Sequence, residues 1–445
     1  MKTKPAKLKK WLKPLSHVLT GFWRPQTLKK PEFLELNNQI KMYPWGSTQW
    51  IPQFLGKENL EAMPWAELWM GIHPEAPSTT WLKNRELSLY KIIKNNPAYY
   101  LGEQGVQKFN SLPFLFKLLA AERPLSIQAH PDLSRAKEGF QRENLAGLAP
   151  DAPNRNYRDP NHKPEIICAL TPFTGMCGFR QPAEIRELLN DFLTPSGLIP
   201  PDKARSLSNG MAPLLDSLEN TDISTALKNF LHALFSLSAD MCQELSDYII
   251  RESTRRLTAP DQETLSLAHW EKMVYFTKLY PDDPAVISPL YLNLFSLEPG
   301  EAVFLQSGTL HSYIHGFGLE LMANSDNVLR GGLTSKHIDI NELINILDFN
   351  PIKPEIIKPP GPDINFTYPT RCSEFSLSVM HGTAIETEFC NSGPAICIVS
   401  SGELEICGKQ DRAIFRKGQS VFIPPARQPL VFRGNYTIYA ATIGL

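Results

Sequence analysis

The chain has 445 residues, enough for about three domains of roughly 150 residues each. Hydrophobic residues make up 42% and charged residues 20%, and 45 basic against 46 acidic side chains leave a formal charge of −1. That balance argues against a general polyanion or nucleic-acid binder, and no apolar run approaches the roughly 18 to 20 residues of a membrane span. Proline (38) exceeds glycine (26), which implies stiff loops and short strands. The seven cysteines form no CxxC pair, so reduced thiols of a cytoplasmic protein are expected rather than a disulfide framework or a cysteine zinc knuckle.

Residues 1–32 stand apart. The first 31 carry nine Lys or Arg and no acid before Glu32, with Pro5, Pro14, Pro25 and Pro31 against one long amphipathic helix. A flexible extension, dispensable for catalysis, is expected. A contact with an anionic membrane surface or a targeting peptide is the other reading, and the segment is the only membrane contact the sequence suggests. From 33 to 180, short apolar runs such as PFLFKLLAA (113–121) and PEIICALTPF (164–173) predict buried strands, with helix and loop between Asp132 and His162. Residues 181–281 change period. Ile185, Leu188, Leu189 and Phe192 recur at helical spacing, as do Ile223, Ala226, Leu227, Phe230, Leu231 and Leu234, and these stripes predict an all-α insert whose apolar faces are core without chemistry. Strand patterns return over 282–360. In 361–445, AICIVSSGELEI predicts a strand, a Ser-Ser-Gly turn and a second strand. The fold expected is mainly β: a split barrel, 33–180 with 282–360, around the helical insert, then a small β domain.

Three segments carry metal-ligating chemistry. In LEPGEAVFLQSGTLHSY, Gly300, Gly308 and His311 follow the spacing of the second cupin motif, with Gln306 where proline is usual. Gly300 permits a tight turn between strands, and His311 can point into the barrel mouth. In SIQAHPD, Gln128 and His130 lie two apart and share one strand face, either as two ligands of one ion or as a buried hydrogen-bonded pair. In NHKPEIICAL, Glu165 opens an apolar strand, where an inward carboxylate needs a partner. Two His, a Glu and a neutral oxygen suit Zn²⁺ with an open water position. A fourth segment, ELMANSDNVLRGGLTSK, gathers Glu320, Asp326, Arg330 and Lys336, and its cations suggest recognition of an anion such as phosphate.

Together these blocks resemble the type I phosphomannose isomerases. The resemblance runs from Phe33 to at least Phe349 and includes YPWGS, AELWMGIHP, LPFLFK, LSIQAHPD, NHKPE, PGEAVFL and LELMANSDNVLRGGLT, in the family's order. It implies a cupin barrel with one Zn²⁺ per chain on Gln128, His130, Glu165 and His311. It implies a catalytic arginine at Arg330, with Glu320 and Lys163 also catalytic. Ser126, Lys117, Lys336, Asp326 and Trp45 fall at the substrate-binding positions. The implied reaction interconverts mannose 6-phosphate and fructose 6-phosphate through a cis-enediol, in a cytoplasmic monomer whose one partner is a small sugar phosphate. Glu320, Lys163, His311 and zinc-bound hydroxide all stay open as the general base. Ile72, Leu133, His315 and Phe317 depart from the family pattern and bear on substrate tuning. The last β unit lacks a ligand histidine and is expected to be metal-free. A metal cupin with other chemistry, such as an Fe(II) oxygenase, and a sugar-phosphate-binding protein without turnover are the alternatives.

Overall fold

The computed structural model describes residues 30–444, apart from 196, 198, 258–265, 384 and 427, so the basic stretch 1–29 lies outside the described residues. Two large antiparallel sheets dominate, of ten and nine strands among these residues. No helix among them is long and apolar enough to cross a membrane.

The ten-stranded sheet is the curled cupin half of the molecule. Its centre is the long strand His311–Ala323, which pairs with Phe114–Ala121 on one side and with Glu165–Ala169 on the other. All eight residues of Phe114–Ala121 are buried, as expected for a strand covered on both faces. The expected strand at 164–173 is in fact two, Glu165–Ala169 and Phe173–Phe179, because Leu170 and Thr171 donate their N–H groups to Phe317 and turn the chain back. Two very short strands complete the mouth: Gln128–Ala129 pairs with His311 and with Leu329–Arg330.

The α-rich region holds Pro182–Leu193, Pro201–Ser217, Ile223–Phe235, Ala239–Arg256 and Leu267–Leu279. Asp222 caps the third of these by accepting from Thr225 N–H at 2.8 Å. The stripe residues read from the sequence are buried except Ile223, which is exposed because it opens its helix, and Leu188, Leu189, Phe192, Leu227, Phe230, Leu231 and Leu234 share one core with Ile127, Ala129, Leu310 and Leu329 of the barrel mouth. The insert therefore braces the strands that carry the site. A second core joins Phe116, Leu118, Ile166 and Leu319 of the barrel to Ile396, Phe422 and Tyr439 of the last β unit.

That last unit corrects one expectation. Ala395–Cys407 is a single bent strand, not a hairpin about Ser-Ser-Gly. A register shift between Val399 and Ser401, with Gly402 at φ +73°, bends it. Its first half pairs with Ser420–Ile423 and its second with Arg412–Arg416. The strand Leu34–Leu36 adds to the same sheet beside Ser420–Phe422.

Candidate metal centre and active-site pocket

The antiparallel register brings the metal-ligating residues together. Cross-strand pairing sets His311 opposite Gln128, and Met322 and Leu305 opposite Glu165, so three separate sequence blocks meet at one point. His130, Glu165 and His311 are all buried, and their ligating atoms lie within 4.8 Å of one another. Glu165 Oε1 is 3.0 Å from His311 Nε2, and Oε2 is 3.4 Å from His130 Nε2.

The tautomers are set by what lies behind the rings. His130 Nδ1 donates to the backbone carbonyl of Asn327 at 2.7 Å, and His311 Nδ1 donates to that of Thr309 at 2.9 Å. A carbonyl can only accept, so in the neutral rings both Nε2 lone pairs face the Glu165 carboxylate. Burial, and then the charge of Lys163, pushes His130 down to about 4, so its ring is neutral at pH 7. Burial pushes the Glu165 carboxyl upward, but Lys163 and the two histidines outweigh it and hold it well below the usual carboxylate range. Glu165 Oε2 is buried 3.2 Å from Lys163 Nζ, yet it accepts no well-formed hydrogen bond. Lys163 Nζ also lies 3.4 Å from His130 Nε2, so one ammonium stands at the edge of this acceptor-rich cluster, and a metal cation suits the acceptors it leaves. The donor set, two imidazoles and a carboxylate with carbonyls behind the rings, fits zinc.

Gly308 tightens the cluster. At φ +80° it makes a turn that a side chain would strain, and its N–H donates to the His130 carbonyl at 2.8 Å. The Gln128 amide end lies 3.5 Å from His311 Nε2, so the expected fourth ligand is beside the cluster.

Above the cluster opens a cavity of about 460 Å³. Its lining includes Trp45, Lys117, Ser126, Gln128, Lys163, Glu320, Asp326, Arg330 and Lys336, so the structure gathers every expected substrate-binding and catalytic residue around one space. Arg330 stands opposite Gln128 in the strand register. The loop beyond it turns at Gly332 (φ +117°), where an added Cβ would overlap Ala285, and the Gly332 carbonyl accepts from Ile127 N–H at 3.0 Å.

One wall is a buried ionic group. Lys117 Nζ contacts Glu320 Oε2 at 2.8 Å and Glu67 Oε1 at 3.3 Å. Burial lowers the Lys117 pKa, but Glu320 and then Glu67 overcome it and raise it above the usual lysine range. Glu320 is raised by burial against the opposing charge of Lys117. Asp326 is pushed up by burial but held below its ordinary value by His73, whose Nε2 lies 3.1 Å from Oδ2.

Several contributors were not read from the sequence. Tyr313 donates its hydroxyl to Glu165 Oε1 at 3.1 Å, and strand alternation from His311 could have found it. Asn327, fully buried, donates to the Asp159 and Asn161 carbonyls at 2.7 and 2.9 Å, tying the two loops that flank the site. No local signal marks it. Leu279 and Tyr280, at the end of a region read as core alone, also line the pocket. Of the departures from the family pattern, Ile72 is buried in the second core and Leu133 begins the helix capped by Asp132. His315 and Phe317 pack on Trp50, and Phe317 lines a separate cavity with residues of the last β unit. None of these four lines the pocket above the metal cluster.

A cupin barrel with a buried His/Glu/His cluster at the foot of a charged pocket defines a metal-dependent cupin enzyme. The model of the phosphomannose isomerase type I catalytic domain matches residues 33–182. The chain is 37% identical to the mannose-6-phosphate isomerase of Salmonella typhimurium, over 90% of this chain and 97% of that one. The enzyme of Escherichia coli is 35% identical with the same coverage, and the human one 34% identical over 72% of this chain and 74% of its own. Among solved structures, a variant of the Salmonella typhimurium phosphomannose isomerase superposes with TM-score 0.82 at 33% identity, covering 93% of this chain and all of that one. A zinc-bound mannose 6-phosphate isomerase gives 0.81 with the same identity and coverage. The chain belongs to the type I mannose-6-phosphate isomerase family.

Proposed function

We propose that the chain interconverts mannose 6-phosphate and fructose 6-phosphate, with one zinc ion per chain held by His130, Glu165, His311 and Gln128. The observation that carries the reading is the buried cluster of His130, Glu165 and His311, whose ligating atoms lie within 4.8 Å of one another beneath a cation-lined pocket. Gln128 would join by turning its amide about the last bond so that Oε1 points inward. Bound zinc supplies a Lewis acid that polarises the sugar oxygens next to the reacting carbon.

The protein's own residues divide the remaining work. The reaction moves a proton between C2 and C1 through a cis-enediol, and charge builds on the two adjacent oxygens. Arg330, half-buried beside Gln128, stays cationic and can hold both oxygens in its fork. Lys163, at the cluster's edge, and Glu320, on the adjoining wall, are placed to hold or move the proton. The raised pKa of Glu320 brings it nearer to the range a general base needs. Ser126 and Lys336 would receive the phosphate, Asp326 and Trp45 the sugar hydroxyls and ring face, and Lys117 fixes Glu320. Action as a cytoplasmic monomer belongs to the same reading, and light scattering on the purified protein checks the oligomeric state.

The experiment is a coupled assay of mannose 6-phosphate turnover before and after chelation, with zinc added back. Turnover that chelation abolishes and zinc restores is expected. Absence of turnover in the zinc-loaded protein would overturn the assignment.

A further inference from the structure

Asn327 sits where the two loops behind the metal cluster meet, and it is fully buried. Its side chain commits both ends of its amide to the loop that leads into NHKPE. Oδ1 accepts from the N–H groups of Arg158 at 2.7 Å and Asp159 at 3.2 Å. Nδ2 donates to the carbonyls of Asp159 at 2.7 Å and Asn161 at 2.9 Å. Two N–H groups at one end of the amide and two carbonyls at the other fix its orientation. Only a primary amide of this length offers two acceptor sites and two donors there.

The backbone of the same residue faces the metal cluster. Its carbonyl accepts from His130 Nδ1 at 2.7 Å, the bond that leaves the His130 Nε2 lone pair toward Glu165. Its N–H donates to Ser325 Oγ at 3.2 Å, and that hydroxyl lies 3.2 Å from Asp159 Oδ2, so the Asn327 backbone is tied to the same loop as its side chain. Asn161, where the clamp ends, is four residues before Glu165. Pro164 stiffens the approach, and its carbonyl accepts from Ala323 N–H at 3.1 Å. One side chain therefore couples the segment that orients His130 to the segment that delivers Lys163 and Glu165.

We infer that Asn327 is a positioning residue that holds His130 and Glu165 in one frame and thereby tightens zinc binding. The inference rests on the zinc reading of this cluster and deepens it. A ligand histidine keeps its tautomer and ring direction while the acceptor behind it stays in place, and loss of such an outer partner typically weakens metal binding about 10- to 100-fold. Asn327 is absent from the lining of the pocket, so its effect passes through the two ligands and not through contact with a sugar phosphate.

The test measures zinc Kd, by competition with a chelator, in the wild-type protein, Asn327→Asp, Asn327→Ser and Leu404→Ala. The aspartate is isosteric but turns a carboxylate toward the Asp159 and Asn161 carbonyls. The serine leaves room for water in the clamp and covers the case in which the aspartate variant does not fold. Leu404 is buried in the separate core of the last β unit, so its truncation lowers Tm without reaching the cluster. Zinc Kd should rise about tenfold or more in the Asn327 variants and stay within about twofold in Leu404→Ala. A folded Asn327 variant within about twofold of the wild type would overturn the inference. An equal rise in Leu404→Ala would do so too, because the effect would then be general loss of stability. A wild-type protein that binds no zinc would sink the zinc reading itself and the inference with it. The same shift in Kd in a protein that does not isomerise mannose 6-phosphate would support the role of Asn327 and sink only the isomerase reading.

Discussion

Lys117 and Glu320 face each other across neighbouring antiparallel strands, with Nζ 2.8 Å from Oε2 and both side chains buried. Glu67 closes the group from a third strand and itself accepts from Trp69 Nε1 at 2.8 Å. Removing one partner of a buried pair leaves an uncompensated charge, which typically costs about 3–5 kcal/mol. Lys117→Met should therefore lower unfolding stability by about that amount at pH 7, measured by denaturant titration. The sign of the pH dependence follows from Glu320. Burial already raises its pKa, and Lys117 is the largest influence holding it down. In the variant the folded state binds the extra proton more tightly than the unfolded state, so stability falls as pH rises above the ordinary carboxylate pKa. The deficit should shrink between pH 7 and pH 5. A deficit independent of pH would mean that Glu320 is not left stranded.

His311→Ala removes one imidazole from the buried cluster and leaves Glu165 with less to face. Elemental analysis after dialysis should show most of the bound zinc lost, with activity lost in parallel. Stoichiometric zinc and full activity would remove His311 from the ligand set.

Arg330→Ala separates transition-state stabilisation from simple binding. A lost charge-stabilising donor should lower kcat by roughly a hundredfold or more, with little change in KM. Zinc content should stay intact, since Arg330 is not placed among the ligands. A normal kcat with a raised KM would move Arg330 to the phosphate-binding group instead.

Glu32 ties the start of the described chain to the last β unit. Its carboxylate accepts from the N–H groups of Gln410, Asp411 and Lys409 at 2.8, 3.0 and 3.1 Å. Slight burial pushes its pKa up, but these three bonds outweigh it and hold it below the ordinary 4.5. A depressed carboxylate pKa adds stability that is present above the unfolded value and lost as pH falls through the folded one. The difference in Tm between the wild type and Glu32→Ala should therefore be constant from pH 7 to about pH 5 and narrow below pH 4. A difference that persists unchanged at pH 3.5 would show that the charge plays no part.

The sequence by itself pointed to the metal-ligating residues, because strand alternation and glycine spacing are local properties, while the register that gathers His130, Glu165 and His311 is tertiary. Gln128 and His130 lie two apart, and Gly300 and Gly308 frame the approach to His311. Helical period likewise revealed the insert, whose stripes, Ile223 apart, proved to be its core. Tertiary structure alone decided the bonds between distant blocks. The Lys117–Glu320 pair spans 203 positions and the Asn327 contact with the Arg158 N–H spans 169, and no periodicity in either segment encodes such a register. The bend in Ala395–Cys407 belongs with them. Ser-Ser-Gly is locally compatible with a turn, but each half of the strand finds a different partner and the chain runs on through a bulge. Local spacing sets which face a side chain occupies. Which opposing side chain it meets depends on strand pairing and on the shared core that holds distant strands in register.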